Sequence, residues 1–329
     1  MAAHGVFILG GTGFIGWHAA HEFLRRGWRV TAVALPPLPA PDLFPPEVRV
    51  ELADVGTMSD DALAELLQGH EAAVFATGAD DRTTPKAPAY PFFRQANVDS
   101  TVRFIRLCRR TGTENVVLLG SYFSHFVRLW PELELARHHP YIRSRIEQED
   151  AAIAEAGSDI RLSIIELPYI FGAMPGRTPL WKPLVSYIRS APLILYPRGG
   201  TNCVSVQHVA EAIVGAVGKN GRFLVGDENL SWKELLGRIS ALTGRRKPVI
   251  TLPDWTVRLG AALLRARHAL QGRESGLEPV EFVKVQTRET FFDSAPSRAV
   301  LGFGSGDLDE ALAATVSACK PDNRDWPGG

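Results

Sequence analysis

The chain is poor in cysteine, lacks an excess of either charge and contains no long apolar run. Each absence removes a class of protein. Cys108, Cys203 and Cys319 are odd in number and far apart, which excludes a disulfide framework and a zinc ligand set, so reduced thiols and a cytoplasmic location are expected. Lys plus Arg and Asp plus Glu both total 36, so nothing singles out nucleic acid or an anionic membrane as a partner. Val6 to Leu9 is only four residues long before the glycines begin, too short for a signal peptide. The most apolar later stretch, Trp255 to Leu270, is broken by Arg258, Arg265, Arg267 and His268 and is too short to span a bilayer. Its amphipathic pattern predicts a helix covering its own core, with a membrane surface or a second copy in a homodimer as alternatives.

What is present is a rhythm of short apolar runs and longer amphipathic ones, the pattern of βαβ units in a parallel sheet. Six strands are expected: Val6 to Leu9, Val30 to Leu35, Val48 to Leu52, Ala72 to Ala76, Val116 to Leu119 and Leu162 to Leu167. Cys203 to Val206 and Phe223 to Val225, flanking a helical run from Val209 to Val217, are candidates to extend the sheet. Prolines mark loops at Pro36 to Pro46 and Thr83 to Pro91, and an excursion at Ala173 to Pro197. The fold class is therefore α/β, a doubly wound, Rossmann-like parallel sheet with a smaller, mostly helical C-terminal substrate lobe. Residues 1–172 form the dinucleotide-binding core, 203–226 return to it, and 173–202 with 227–329 form the lobe. Pro321 to Gly329 is expected to fray.

Gly10-Gly11-Thr12-Gly13-Phe14-Ile15-Gly16 follows the first strand and opens a helix. In that context Gly10 permits the tight turn, Gly13 admits a pyrophosphate to the backbone and Gly16 lets helix and strand approach, with free N–H groups facing the anion. The second strand ends in Ala34-Leu35-Pro36-Pro37, with neither a carboxylate for a ribose hydroxyl nor an Arg for a 2′-phosphate. The cofactor is NAD or NADP, with NAD slightly preferred because no basic residue appears between the end of that strand and Arg49. Asp54, followed by Val55, is placed to accept from an adenine amino group or to serve as a loop residue or helix N-cap.

These residues resemble the extended short-chain dehydrogenase/reductase family of epimerases, dehydratases and reductases. The likeness runs through the glycine loop, Asp54, Phe75-Ala76-Thr77-Gly78, Asn97-Val98-Asp99-Ser100-Thr101 and Leu118-Leu119-Gly120-Ser121. It continues through Tyr141-Ile142-Arg143-Ser144-Arg145 with Glu149, Leu167-Pro168-Tyr169-Ile170-Phe171-Gly172 and a closing element at Leu301-Gly302-Phe303. The resemblance implies that Tyr141 is the general acid/base and that Ser121 holds the substrate oxygen. It also places Ala76, Thr77, Gly78, Asn97, Pro168 and Ile170 at the cofactor with Tyr141 and Arg145. Where the family has a Lys four residues after the Tyr, this chain has Arg145. Arg keeps the charge and can donate to a ribose hydroxyl but releases no proton. Leu167 stands where the family usually has Arg, and His208 where it usually has Asp.

The implied activity is an NAD(P)-dependent oxidoreductase or epimerase acting on a carbinol or carbonyl of a small organic substrate. Arg145 sustains the alternative of a non-redox isomerase, cyclase or cofactor-binding scaffold. Aromatic residues expected around the mouth, among them Phe93, Phe126, Trp130 and Trp181, favour an organic ligand, while Arg177, Lys182, Arg189 and Arg198 could serve a diphosphate. His125, His138 and His139 lack metal-ligand spacing and read as loop residues near the mouth; no metal is expected.

Overall fold

The computed structural model describes residues 4–320; the tail from Pro321 to Gly329 lies outside the described residues. Strands β1 (Gly5–Leu9), β2 (Arg29–Ala34), β3 (Val48–Leu52), β4 (Ala72–Phe75), β5 (Asn115–Ser121) and β6 (Arg161–Leu167) match the six expected runs to within two residues at each end. After them come β7 (Tyr169–Phe171), β8 (Ile194–Pro197), β9 (Gly200–Ser205), β10 (Gly221–Leu224), β11 (Glu228–Ser231), β12 (Val249–Leu252) and β13 (Glu289–Thr290).

The main sheet has seven parallel strands in the order β10-β6-β5-β4-β1-β2-β3. Alternate residues of β1 explain its two covered faces. Val6 and Ile8 pack with Ala19, Ala20 and Phe23 of helix Phe14–Arg25, while Phe7 and Leu9 pack with Leu63, Leu67, Phe104 and Ile105 of helices on the other side. Strand order reverses between β1 and β4, the point at whose carboxyl ends such sheets form their ligand crevice.

Phe223 to Val225 does extend the sheet, because β10 pairs in parallel with β6. Cys203 to Val206 does not: β9 lies in a second sheet beside β7, β11 and β13. The turn at Gly172, with φ of 142°, redirects the chain from the main sheet, and its N–H is taken by Thr315 Oγ1 at 2.7 Å. The lobe therefore carries short strands as well as helices, around a core of Phe171, Val185, Trp232, Leu236 and Leu312. Helix Asp254–Leu270 differs from expectation, for it buries none of its residues and covers no core. Among the described residues no helix is long and apolar enough to cross a membrane.

Candidate active site

At the end of β1, Gly10 has φ of 87°, and a Cβ there would stand 2.4 Å from the Ala76 oxygen at the end of β4. A Cβ on Gly16 would stand 2.2 Å from the Gly10 oxygen. Only glycine allows these approaches. Gly10 and Gly11 N–H groups are spent on Val33 O, and Gly13 N–H on Gly10 O. Gly13 is the N-cap of helix Phe14–Arg25, and neither a capping side chain nor an acidic residue occupies its first turn. The donors of Phe14, Ile15 and Gly16 thus begin an uncapped helix, with the positive end of its dipole at the crevice. A glycine cradle opening on an uncapped helix fits a dinucleotide pyrophosphate. Thr12 is buried in the same loop, and its carbonyl accepts from Arg177 Nε at 3.0 Å. Arg177, expected to serve a substrate diphosphate, is instead the cation this structure brings to the phosphate loop.

Asp54 is exposed and makes a turn: its Oδ1 accepts from Gly56 N–H at 2.9 Å and its carbonyl from Thr57, while Val55 packs on the core beneath. Asp54 thus shapes the loop, while the N-cap of the helix that follows is Ser59, whose side chain accepts from Ala62 N–H. Ala76 continues β4 through a bond to Leu9 O, and Thr77 and Gly78 are exposed beyond it. Gly78, at φ of 136°, passes so close to Asn97 that a Cβ would lie 2.6 Å from its Oδ1. Asn97 is fully buried in a π-helical segment, Arg94–Asp99. Its Oδ1 accepts from Ala79 N–H at 2.9 Å and its Nδ2 donates to Ser144 Oγ at 3.0 Å, clamping the β4 loop to the helix that bears Tyr141. Pro168 is buried just after β6, and Ile170 O takes the Trp181 indole N–H at 2.7 Å.

Helix Pro140–Ala156 begins with proline at its first position, and its second residue is Tyr141. The ring is buried, edge-on to Phe93 and Phe123. Gly276 closes over it: the Gly276 oxygen accepts from Tyr141 N–H at 2.9 Å, and a Cβ on Gly276 would meet Phe93 at 2.5 Å. Burial raises the phenol pKa above its ordinary value, the Arg145 charge opposes that rise, Asp81 adds to it, and a hydrogen-bonding contact from Ser121 lowers it. Arg145, one helical turn on, holds its guanidinium carbon 5.8 Å from the ring centroid. Its Nη2 donates to Leu119 O, while its Nε is buried without a partner. Ser121 ends β5, buried beside these groups.

Asn97, Ser121, Tyr141 and Arg145, drawn from β5 and two helical segments, thus lie together beside the loop that follows β4. Sequence reasoning missed Asp81, whose carboxyl is pushed up by burial against the opposing charges of Arg82, 3.8 Å away, and Arg145, and whose own charge raises the Tyr141 and Tyr122 phenols. No spacing signal distinguishes it from Asp80. Phe126 and Trp130, expected at a loop-lined mouth, stack at 4.4 Å in the core beside Tyr141, and Trp181 stacks on Phe171 in the lobe core. His125 lies on helix Phe123–Leu129 rather than a loop, and His139 precedes the Tyr141 helix, its Nδ1 accepting from Glu278 N–H. Burial, with the nearby His138, lowers the His139 pKa to about 4. Buried His208 donates from Nδ1 to Asp227 at 2.8 Å, so where the family usually has Asp, a His–Asp pair stands. No group of three or more His, Cys, Asp or Glu among the described residues could hold a metal ion.

A doubly wound parallel sheet with a glycine cradle at its switch point is the frame of nicotinamide-dependent epimerases, dehydratases and reductases. The profile of the NAD dependent epimerase/dehydratase family matches residues 6–222, and the chain belongs to that family. A Synechocystis sp. protein named "Putative dihydroflavonol 4-reductase" is 24% identical over 333 residues, covering 94% of this chain and 93% of its own. Among solved structures, gox2253 superposes with a TM-score of 0.76 at 20% identity, over 95% of this chain and 97% of that one. A UDP-glucuronic acid 4-epimerase from Bacillus cereus, in complex with UDP-glucuronic acid and NAD, gives 0.68 at 13% identity, over 96% and 98%.

Proposed function

We propose that the protein is an NAD-dependent oxidoreductase in which Tyr141 exchanges a proton with a carbinol or carbonyl oxygen positioned by Ser121. The observation that carries this reading is the buried Tyr141 phenol within reach of both Ser121 and the Arg145 charge. NAD, with its pyrophosphate at Gly10, Gly13 and Gly16, would supply hydride exchange at its nicotinamide. Because burial raises the phenol pKa, Tyr141 is protonated near neutral pH and is set to act as an acid on a carbonyl oxygen. Ser121 holds that oxygen, and Arg145 stabilises the phenolate left behind without taking up its proton.

An apolar substrate suits the surroundings better than a nucleotide sugar. Phe93 and Phe123 flank Tyr141, whereas Arg189 is committed to the Val316 and Cys319 carbonyls and Arg198 to Asp254. One observation favours the scaffold alternative: Arg145 already spends Nη2 on Leu119 O. The two readings separate when the purified chain is incubated with NADH or NADPH and a panel of ketones, and with NAD or NADP and a panel of alcohols, following the absorbance of the reduced nicotinamide. Turnover of any member, faster with NADH, supports the oxidoreductase; cofactor binding without turnover across the panel supports the scaffold.

A further inference from the structure

Helix Asp254–Leu270 turns its apolar face outward. Trp255, Leu259, Leu263 and Leu270 are 68%, 56%, 65% and 90% exposed, and with Ala262 and Ala266 they recur at i, i+4, i+7 and i+8 spacings. On a helix these positions form one continuous stripe about 25 Å long. The inner side, through Val257, Ala261 and His268, is only half-buried, with His268 Nδ1 bonded to Ser275 Oγ at 2.8 Å. Ile250 and Leu195, opposite each other on β12 and β8 just before the helix, are exposed as well.

The charges bordering the stripe decide what covers it. Residues 255–273 hold Arg258, Arg265, Arg267 and Arg273 and no carboxylate, in a chain whose charges sum to zero; Arg265 lies 3.7 Å from Glu278 and Arg273 donates to Thr84 O, which leaves Arg258 and Arg267 as the helix cations outside any ion pair among the described residues. Arg258 and Arg265 lie on one flank of the stripe and Arg267 on the other. Asp254, at the start of the helix, is occupied by Arg198 at 2.8 Å. Two copies placed stripe to stripe would set arginine against arginine with no unpaired acid on this helix to answer it. A layer of anionic headgroups over hydrocarbon answers both features: the arginines reach phosphates, and the Leu and Trp side chains enter the acyl boundary.

We infer that helix Asp254–Leu270 docks the protein on an anionic lipid surface. The stripe lies in the interfacial plane without crossing it, consistent with a 17-residue helix broken by arginines. The segment that follows is the cover of the site: Gly272 to Gly276 pairs with Thr83 to Ala87 before Gly276 closes over Tyr141. Docking therefore sets that cover beside the lipid, whatever reaction Tyr141 performs.

The test is flotation of the full chain with phosphatidylcholine vesicles, with and without roughly one-third phosphatidylserine. Association with the anionic vesicles at low salt, weakened by salt and weak without phosphatidylserine, is expected. Leu259→Glu with Leu263→Glu, at exposed positions that leave the fold intact, lowers partitioning by about tenfold or more. Arg258→Gln with Arg267→Gln reduces the preference for phosphatidylserine several-fold. No flotation of the parent chain, or flotation unaffected by the Glu pair, overturns the inference. So does a dimer, seen by sedimentation without vesicle binding, that the Glu pair dissociates, because the stripe would then belong to a second copy.

Discussion

Glu166 gives a pH dependence that can be worked from the structure. It lies opposite Gly120 in the β5–β6 register, one residue from Ser121, and its side chain is 2% exposed. Burial and the neighbouring Glu149 charge push its pKa up to about 7, although Arg128 and Arg222 pull the other way. The folded value is thus above the value in the unfolded chain, so the folded state holds the proton more tightly. Stability from this group is full below the unfolded pKa and is lost as pH rises through about 7. At about 1.4 kcal/mol per pKa unit, the loss above pH 8 is on the order of 3 kcal/mol. Glu166→Gln, a neutral isostere of the protonated form, removes that loss. Urea unfolding at pH 5 and pH 8 should show the parent losing stability between the two while the variant stays level and is the more stable at pH 8. A variant less stable than the parent at pH 8 by about 1 kcal/mol or more would mean that the Arg128–Glu166 ion pair outweighs the burial, the opposite of this expectation.

Gly13→Leu should abolish NAD affinity in calorimetry while leaving the far-ultraviolet circular dichroism unchanged, because a Cβ at Gly13 meets only the Gly10 oxygen, at 3.0 Å, on the side a pyrophosphate would approach. Asn97→Ala strips partners from Ala79 N–H and Ser144 Oγ and should cost about 1–3 kcal/mol in urea unfolding, together with weakened cofactor binding. Arg145→Lys places an ammonium at the same helical position and should keep or raise turnover with whichever carbonyl the chain reduces, read as steady-state kcat.

The main sheet was legible because two-sided burial demands continuous apolar runs, and β1 to β6 have them with clear loops between. The phosphate loop was legible because close approach leaves glycine no substitute at Gly10 and Gly16. The placement of β9 was not, since Gly200 to Ser205 reads the same whichever sheet it joins; the turn at Gly172 and the pairing with β7 decide it. Helix Asp254–Leu270 misled for a related reason. Its periodicity gives an apolar face but not the direction that face points, which the tertiary packing sets. Within the site, Ser121, Tyr141 and Arg145 came from family resemblance, whereas Asp81 and the Gly276 cover depend on contacts between segments far apart in the chain.

Tyr141→Phe tests the central claim most directly, since it deletes one hydroxyl from a ring otherwise held by Phe93 and Phe123. Turnover of the best carbonyl substrate should fall by roughly 10²- to 10⁴-fold while NAD affinity and the unfolding midpoint are kept. Turnover equal to that of the parent chain, in a variant that still binds NAD, would contradict the claim and leave the dinucleotide a structural or regulatory ligand.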